Sequence, residues 1–171
     1  KTLGVLGLGS IGREVVLRAK AFDMNVIAHD PYVNPLAGAD LGVSLVSIDD
    51  LYAQSDYISL HVALTPDTEK MINTAAVAKM KKGVRIINCA RGELVDQDAL
   101  VAGLASGQVG GAGLDVFDPE PLPADHPLLK APNLVATPHI GGSTEEAQEI
   151  VGVRIVEQVV QYLTQGVAIN A

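Results

Sequence analysis

The sequence has no tryptophan, two phenylalanines and four tyrosines. Any core must therefore be aliphatic, and 48% apolar residues are enough to build one. Such a core suits the Val/Ile/Leu-rich strands of a parallel sheet buried on both faces. The single cysteine, Cys89, excludes an internal disulfide and a cysteine-based zinc site, and no metal is expected. Lysine and arginine form no run and the formal net charge is −8, which argues against nucleic acid as a main partner. No apolar stretch is long enough to span a bilayer and no secretory leader pattern is present, so no membrane partner is expected and a cytoplasmic location fits. A length of 171 residues suits one domain. The chain lacks an initiator methionine and enters its first strand at Thr2, so the expectation is a domain of a longer polypeptide.

Apolar periodicity predicts strands at 2–6, 25–29, 43–45, 57–62, 84–88, 111–116 and 134–137. Helices are predicted at 10–22, after Ser47, from Asn73 to 80, from Asp96 to 105, and from the capping-box sequence Ser143-Thr144-Glu145-Glu146 to near Gly166. Ile11, Val15, Val16, Ala19 and Phe22 are expected to form the buried face of the first helix. Gly111 and Gly113 within one strand suggest close backbone approach. Residues 117–133 carry five prolines and read as a loop. Strands alternating with helices imply an α/β fold: one doubly wound, Rossmann-type parallel sheet.

Gly7-Leu8-Gly9-Ser10-Ile11-Gly12 lies between the first strand and the first helix. A glycine hexapeptide alone is a weak signal, but strand before and helix after is the context a dinucleotide loop needs. Gly7 would permit the turn, Gly9 would admit a pyrophosphate, and Gly12 would bring helix and strand together. The N–H groups of Ser10 and Ile11 would point at the phosphates. Asp30 ends the second strand, where a carboxylate can accept bonds from ribose hydroxyls and repel a 2′-phosphate, favouring NAD over NADP. Its plainer reading is a turn residue before Pro31.

Three further segments follow in order. They are Asn88-Cys89-Ala90-Arg91-Gly92 with Val95-Asp96, Gly113-Leu114-Asp115-Val116-Phe117 with Pro119-Glu120-Pro121, and Thr137-Pro138-His139-Ile140-Gly141-Gly142. Taken singly, His139 reads as a loop histidine, Glu120 as a solvated carboxylate and Arg91 as a partner for Asp96. In this order after a glycine loop, they resemble the cofactor domain of the D-2-hydroxyacid dehydrogenase family over essentially the whole chain.

The resemblance implies hydride transfer between NAD and a small 2-hydroxy acid. His139 would be the acid/base, because an imidazole exchanges its proton near neutral pH. Glu120 would orient that histidine and raise its pKa, and Arg91 would bind the substrate carboxylate and carbonyl. Asp115 would hold the nicotinamide carboxamide, with Cys89 and Ala90 along the nicotinamide; Cys89 reads equally well as a small buried residue. Gly141 and Gly142 would leave the cofactor room beside His139. His61, Val62, Ala63 and Thr65 match the adenine-side loop. Family members usually carry proline where Ala63 stands, which implies a less rigid wall, and some carry arginine where Ser10 stands.

Ser143 to Gln148, and the end from Gly166 to Ala171 with its return crossing, resemble the phosphoglycerate dehydrogenase branch. Glyoxylate or hydroxypyruvate reductases, and NAD-sensing corepressors of the same family, remain alternatives. The family also implies a separate substrate-binding domain and self-association through cofactor domains, so a homo-oligomer is expected. The chain by itself is expected to bind NAD and turn over poorly.

Overall fold

The computed structural model describes residues 1–168, which fall into two compact units divided between Pro138 and His139. The first is a seven-stranded parallel sheet. Its strands are β1 (Thr2–Leu6), β2 (Asn25–His29), β3 (Ser44–Leu45), β4 (Tyr57–Leu60), β5 (Val84–Asn88), β6 (Val109–Leu114) and β7 (Leu134–Ala136), in the order β3-β2-β1-β4-β5-β6-β7. The helices α1 (Ser10–Ala21), α2 (Pro35–Asp40), α3 (Ile48–Gln54), α4 (Thr74–Lys79) and α5 (Gln97–Ser106) connect them. The order reverses between β1 and β4, which opens a crevice at their carboxyl ends, where ligands bind in such sheets.

Two aliphatic cores result. Leu3, Val5 and Val26 pack with Val16 and Ala19 of α1. Ile58, Leu60, Ile86 and Leu114 pack with Leu51, Val77, Leu100 and Leu104 of α3, α4 and α5. Alternate residues of the later strands, among them Tyr57, Arg85, Ile87, Gly113 and Val135, instead line an open groove of about 360 Å³.

The helix starts follow their caps. Ser47 Oγ accepts from Asp50 N–H at 3.1 Å, Asn73 Oδ1 from Ala76 N–H at 3.0 Å, and Asp96 Oδ1 from Ala99 N–H at 3.1 Å. Such a cap is worth about 1 kcal/mol.

Several expectations need correction. The five apolar residues of α1 form two stripes, not one face. Val16 and Ala19 are buried with Gly12, whereas Ile11 and Phe22 are 68% and 81% exposed and edge a second groove with Val15. β6 starts two residues before the expected strand and ends two before it, and only part of its glycine content reflects crowding. A Cβ on Gly111 would lie 3.2 Å from the Asn133 carbonyl, but one on Gly113 would meet nothing within 4 Å. The short helix α2, opened by an Asn34 side chain that accepts from Leu36 N–H, gives no periodic signal. Neither do the 3₁₀ turns at Gly92–Leu94 and Pro127–Lys130.

The second unit begins at His139, whose φ is +55°. It contains α6 (Glu145–Gln165), capped by Thr144, one residue later than the first residue of the expected box, and ended by Gly166. No residue of α6 is buried. The expected return crossing after Gly166 lies partly outside the described residues.

Candidate active site

The glycine loop leaves β1 at Gly7, whose φ is +93°. Its N–H donates to the His29 carbonyl at 3.0 Å, so the loop is tied to the end of β2. A Cβ on Gly12 would lie 2.0 Å from the Gly7 carbonyl oxygen, so the first turn of α1 sits against the loop backbone. A Cβ on Gly9 would meet nothing within 4 Å, leaving space above the loop. The first bond of the helical ladder runs from Arg13 N–H to the Gly9 carbonyl at 3.1 Å, so Ser10 and Ile11 present their N–H groups ahead of it.

Asp30 is bound into the same structure. One carboxylate oxygen accepts from Leu8 N–H at 2.8 Å and the other from Tyr32 N–H at 3.0 Å. The carboxylate therefore stands beside the glycine loop and also holds the turn that follows β2. These features fit a dinucleotide: a backbone cradle with open space at Gly9, donors at a helix start, and an acidic group at the next strand end.

Across the crevice, the residues after β4 and β5 enclose an open cavity of about 460 Å³. Ile11, His61, Val62, Ala63, Leu64, Cys89, Ala90 and Arg91 line it. His61 is half-buried, its Nε2 lies 2.8 Å from Ser59 Oγ, and burial lowers its pKa. The loop after it carries a proline at Pro66 but none at Ala63, and a threonine ties it there. Thr68 Oγ1 donates to the Ala63 carbonyl at 2.7 Å and accepts from Thr65 N–H at 2.8 Å. The Ala63 carbonyl, where the missing proline implied a less rigid wall, is thus held by a threonine five residues on.

Cys89 is exposed, not a small buried residue. Its thiol pKa is raised, first by partial desolvation at the cavity wall and then by the Asp115 carboxylate. Arg91 is exposed and donates through Nη1 to the Ala90 carbonyl at 2.6 Å. The alternative pairing with Asp96 is not what the structure holds, since Asp96 caps α5.

Asn88, for which the sequence suggested no role, shapes this segment. It is buried, its Nδ2 donates to the Arg91 carbonyl at 2.8 Å, and its Oδ1 accepts from Ala90 N–H at 3.0 Å. A polar residue inside an apolar strand end was the available signal. Asp115 is buried beyond β6, with its N–H on the Asn88 carbonyl at 3.0 Å and its Oδ1 accepting from Thr137 Oγ1. In the next loop, Glu120 Oε1 accepts from Phe117 N–H at 2.8 Å. The Arg91 and Glu120 loops are interlocked, because a Cβ on Gly92 would lie 2.0 Å from the Phe117 carbonyl oxygen. In the second unit, Ser143 N–H donates to the Ile140 carbonyl at 3.1 Å and Ser143 Oγ to the His139 carbonyl at 3.2 Å, closing a turn over Gly141 and Gly142. Arg91, Glu120 and His139 thus each follow the carboxyl end of a strand, β5, β6 and β7 respectively.

Residues 1–141 match the family model described as D-isomer specific 2-hydroxyacid dehydrogenase, NAD binding domain. The chain belongs to that family. Its cofactor is NAD, as for the family's cofactor domain. It is 49% identical over 171 residues to a D-3-phosphoglycerate dehydrogenase of Methanocaldococcus jannaschii, covering 99% of the chain and 32% of that protein. It is 51% identical over 166 residues to a hydroxypyruvate reductase of Thermotoga maritima, covering 95% of the chain and 53% of that protein. Among solved structures, a glyoxylate reductase from Paecilomyes thermophila superposes with a TM-score of 0.88 at 44% identity, covering 99% of the chain and 51% of that protein. The chain thus spans about a third to a half of the length of these family members. Among the described residues, no helix is long and apolar enough to cross a membrane.

Proposed function

We propose that this chain is the cofactor domain of a longer NAD-dependent dehydrogenase that oxidises 3-phosphoglycerate to 3-phosphohydroxypyruvate. The observation that carries the reading is an ordered one. A dinucleotide loop follows β1, and an arginine, a carboxylate and a histidine follow β5, β6 and β7 in turn. The identity to the M. jannaschii phosphoglycerate dehydrogenase supports the choice of acid.

NAD supplies the hydride acceptor when bound. Gly7, Gly9, Ser10, Ile11 and Gly12 would hold its pyrophosphate and Asp30 its adenosine ribose. His61, Val62, Ala63 and Thr65 would border the adenine side. Cys89, Ala90, Asp115, Gly141 and Gly142 would surround the nicotinamide. Arg91 offers a planar, permanently charged fork for the substrate carboxylate. His139 takes the hydroxyl proton during oxidation and returns it during reduction, and Glu120 orients the imidazole and stabilises its protonated form. The polypeptide beyond this chain supplies a substrate-binding domain, and the whole works as a cytoplasmic homo-oligomer.

His139→Ala in the full-length enzyme tests the assignment. The expected result is a fall in kcat of roughly 10²- to 10⁴-fold, with the NAD Kd from calorimetry held within a few-fold. Retained kcat would sink the assignment. The 171-residue chain alone is expected to bind NAD with little turnover, and brisk phosphoglycerate oxidation by it would refute the need for a second domain. A second reading, reduction of hydroxypyruvate, is favoured by the T. maritima relative. Assaying phosphoglycerate beside glycerate separates the two.

A further inference from the structure

We propose that Gln97 is a positioning residue for Glu120, acting through the backbone of the loop that carries the carboxylate. The proposal rests on the reading of Glu120 and His139 given above.

Gln97 is the first residue of α5, directly after the Asp96 cap. Its Nε2 donates to the carbonyl of Asp118. Its Oε1 is buried and has no partner among the described residues. A buried acceptor left unpaired destabilises a fold, and an apolar side chain of the same shape avoids that cost. What the amide contributes here is therefore its donor, and that donor is spent on one carbonyl.

That carbonyl lies in an exposed segment, Asp118 to Pro121, which belongs to no helix or strand. On one side, the Phe117 backbone is pressed against Gly92. On the other, the Phe117 N–H holds Glu120 Oε1 at 2.8 Å. Asp118 lies between Phe117 and Glu120 in the chain, and Gln97 fixes it to the start of a helix whose own first turn is capped. The Glu120 carboxylate thus takes its direction from a backbone held at two points, Gly92 and Gln97. Loss of the second lets the carboxylate drift from the imidazole it serves. A histidine with a less well-placed carboxylate has a lower pKa, because its charged form loses a stabilising partner. Oxidation needs the neutral imidazole, so the acid limb of kcat/KM moves to lower pH. NAD affinity stays put, because the glycine loop and Asp30 lie after other strands.

Gln97→Met is the informative variant, because it keeps the shape, removes the donor and removes the unpaired acceptor. In the full-length dehydrogenase it is expected to keep its thermal midpoint and to hold the NAD Kd within twofold. The acid limb should move down by about 0.5–1 pH unit, with kcat lower by roughly fivefold. Gln97→Glu sets a carboxylate against the Asp118 carbonyl and should shift the limb at least as far. Glu120→Gln, run in parallel, should move the limb further than either. If Glu120→Gln moves the limb and Gln97→Met leaves it in place, the proposal is overturned, whether or not kcat falls. If Glu120→Gln also leaves it in place, the reading of Glu120 fails and takes the proposal with it.

Discussion

Asp30 ties two backbone segments with one carboxylate, and the proposed function gives it a second job. It fastens Leu8 and Tyr32 within the fold, and in the function proposed above it would also bind the ribose of the dinucleotide. Replacing it therefore removes a structural tie as well as a cofactor contact. Asp30→Ala is expected to weaken NAD binding roughly tenfold to a hundredfold, the size of one or two charge-assisted hydrogen bonds. NADP should gain relative to NAD because the repulsion of its 2′-phosphate is gone. Calorimetric titration with both nucleotides checks this, and an unchanged ratio of the two Kd values would remove Asp30 from cofactor choice. Asp30 was legible in the sequence as a candidate because it ends the strand that follows a glycine loop, where a dinucleotide site needs a carboxylate. Asn88, Thr68 and Gln97 were not, because each acts on a backbone carbonyl or N–H that only the folded loop brings within reach.

Elements held by caps and periodic apolar residues were equally legible. The starts of α3, α4 and α5 fall one residue after Ser47, Asn73 and Asp96. Elements without such signals were missed: α2 is six residues long, and the 3₁₀ turns have no repeating face. The two stripes of α1 were merged because residues 11, 15 and 22 obey the same spacing as 12, 16 and 19. Which stripe is buried depends on the sheet beneath.

The amino-terminal ends of the inner strands β1 and β4 are also tied electrostatically. Asp56, the residue before β4, accepts from Thr2 N–H at 2.7 Å, with Lys81 at 3.5 Å and Lys1 at 3.8 Å. The Thr2 bond first, and then the two lysines, hold its pKa below the ordinary value of 3.8. A carboxylate with a depressed folded pKa stabilises above its unfolded pKa, and that contribution is lost as pH falls through the folded one. Urea melts at neutral pH should therefore find Asp56→Asn less stable than wild type. The gap should narrow as pH drops below about 4; a gap independent of pH would show that the charge of Asp56 is not what matters.

At the scale of the molecule, the sheet unit satisfies itself with two aliphatic cores, and α6 does not. Val151, Ile155, Val156, Val159, Val160 and Leu163 are each at least half exposed along its 21 residues. The homo-oligomer proposed above needs an apolar surface of this kind. Val156→Glu combined with Val160→Glu is expected to shift the chain toward monomer in sedimentation velocity while the NAD Kd stays within twofold. An unchanged sedimentation profile would assign self-association to another surface.

The contact of Gly92 with the Phe117 backbone has a consequence for descent. No side chain larger than hydrogen fits at Gly92 unless the following loop moves as well. The two loops must therefore be inherited as a single part. Substitutions that retune one without the other would be purged before they could alter the chemistry. Relatives that act on different acids are then expected to have diverged elsewhere, keeping this joint as it is. A lineage in which residue 92 has gained a side chain should show a compensating change within residues 117–121.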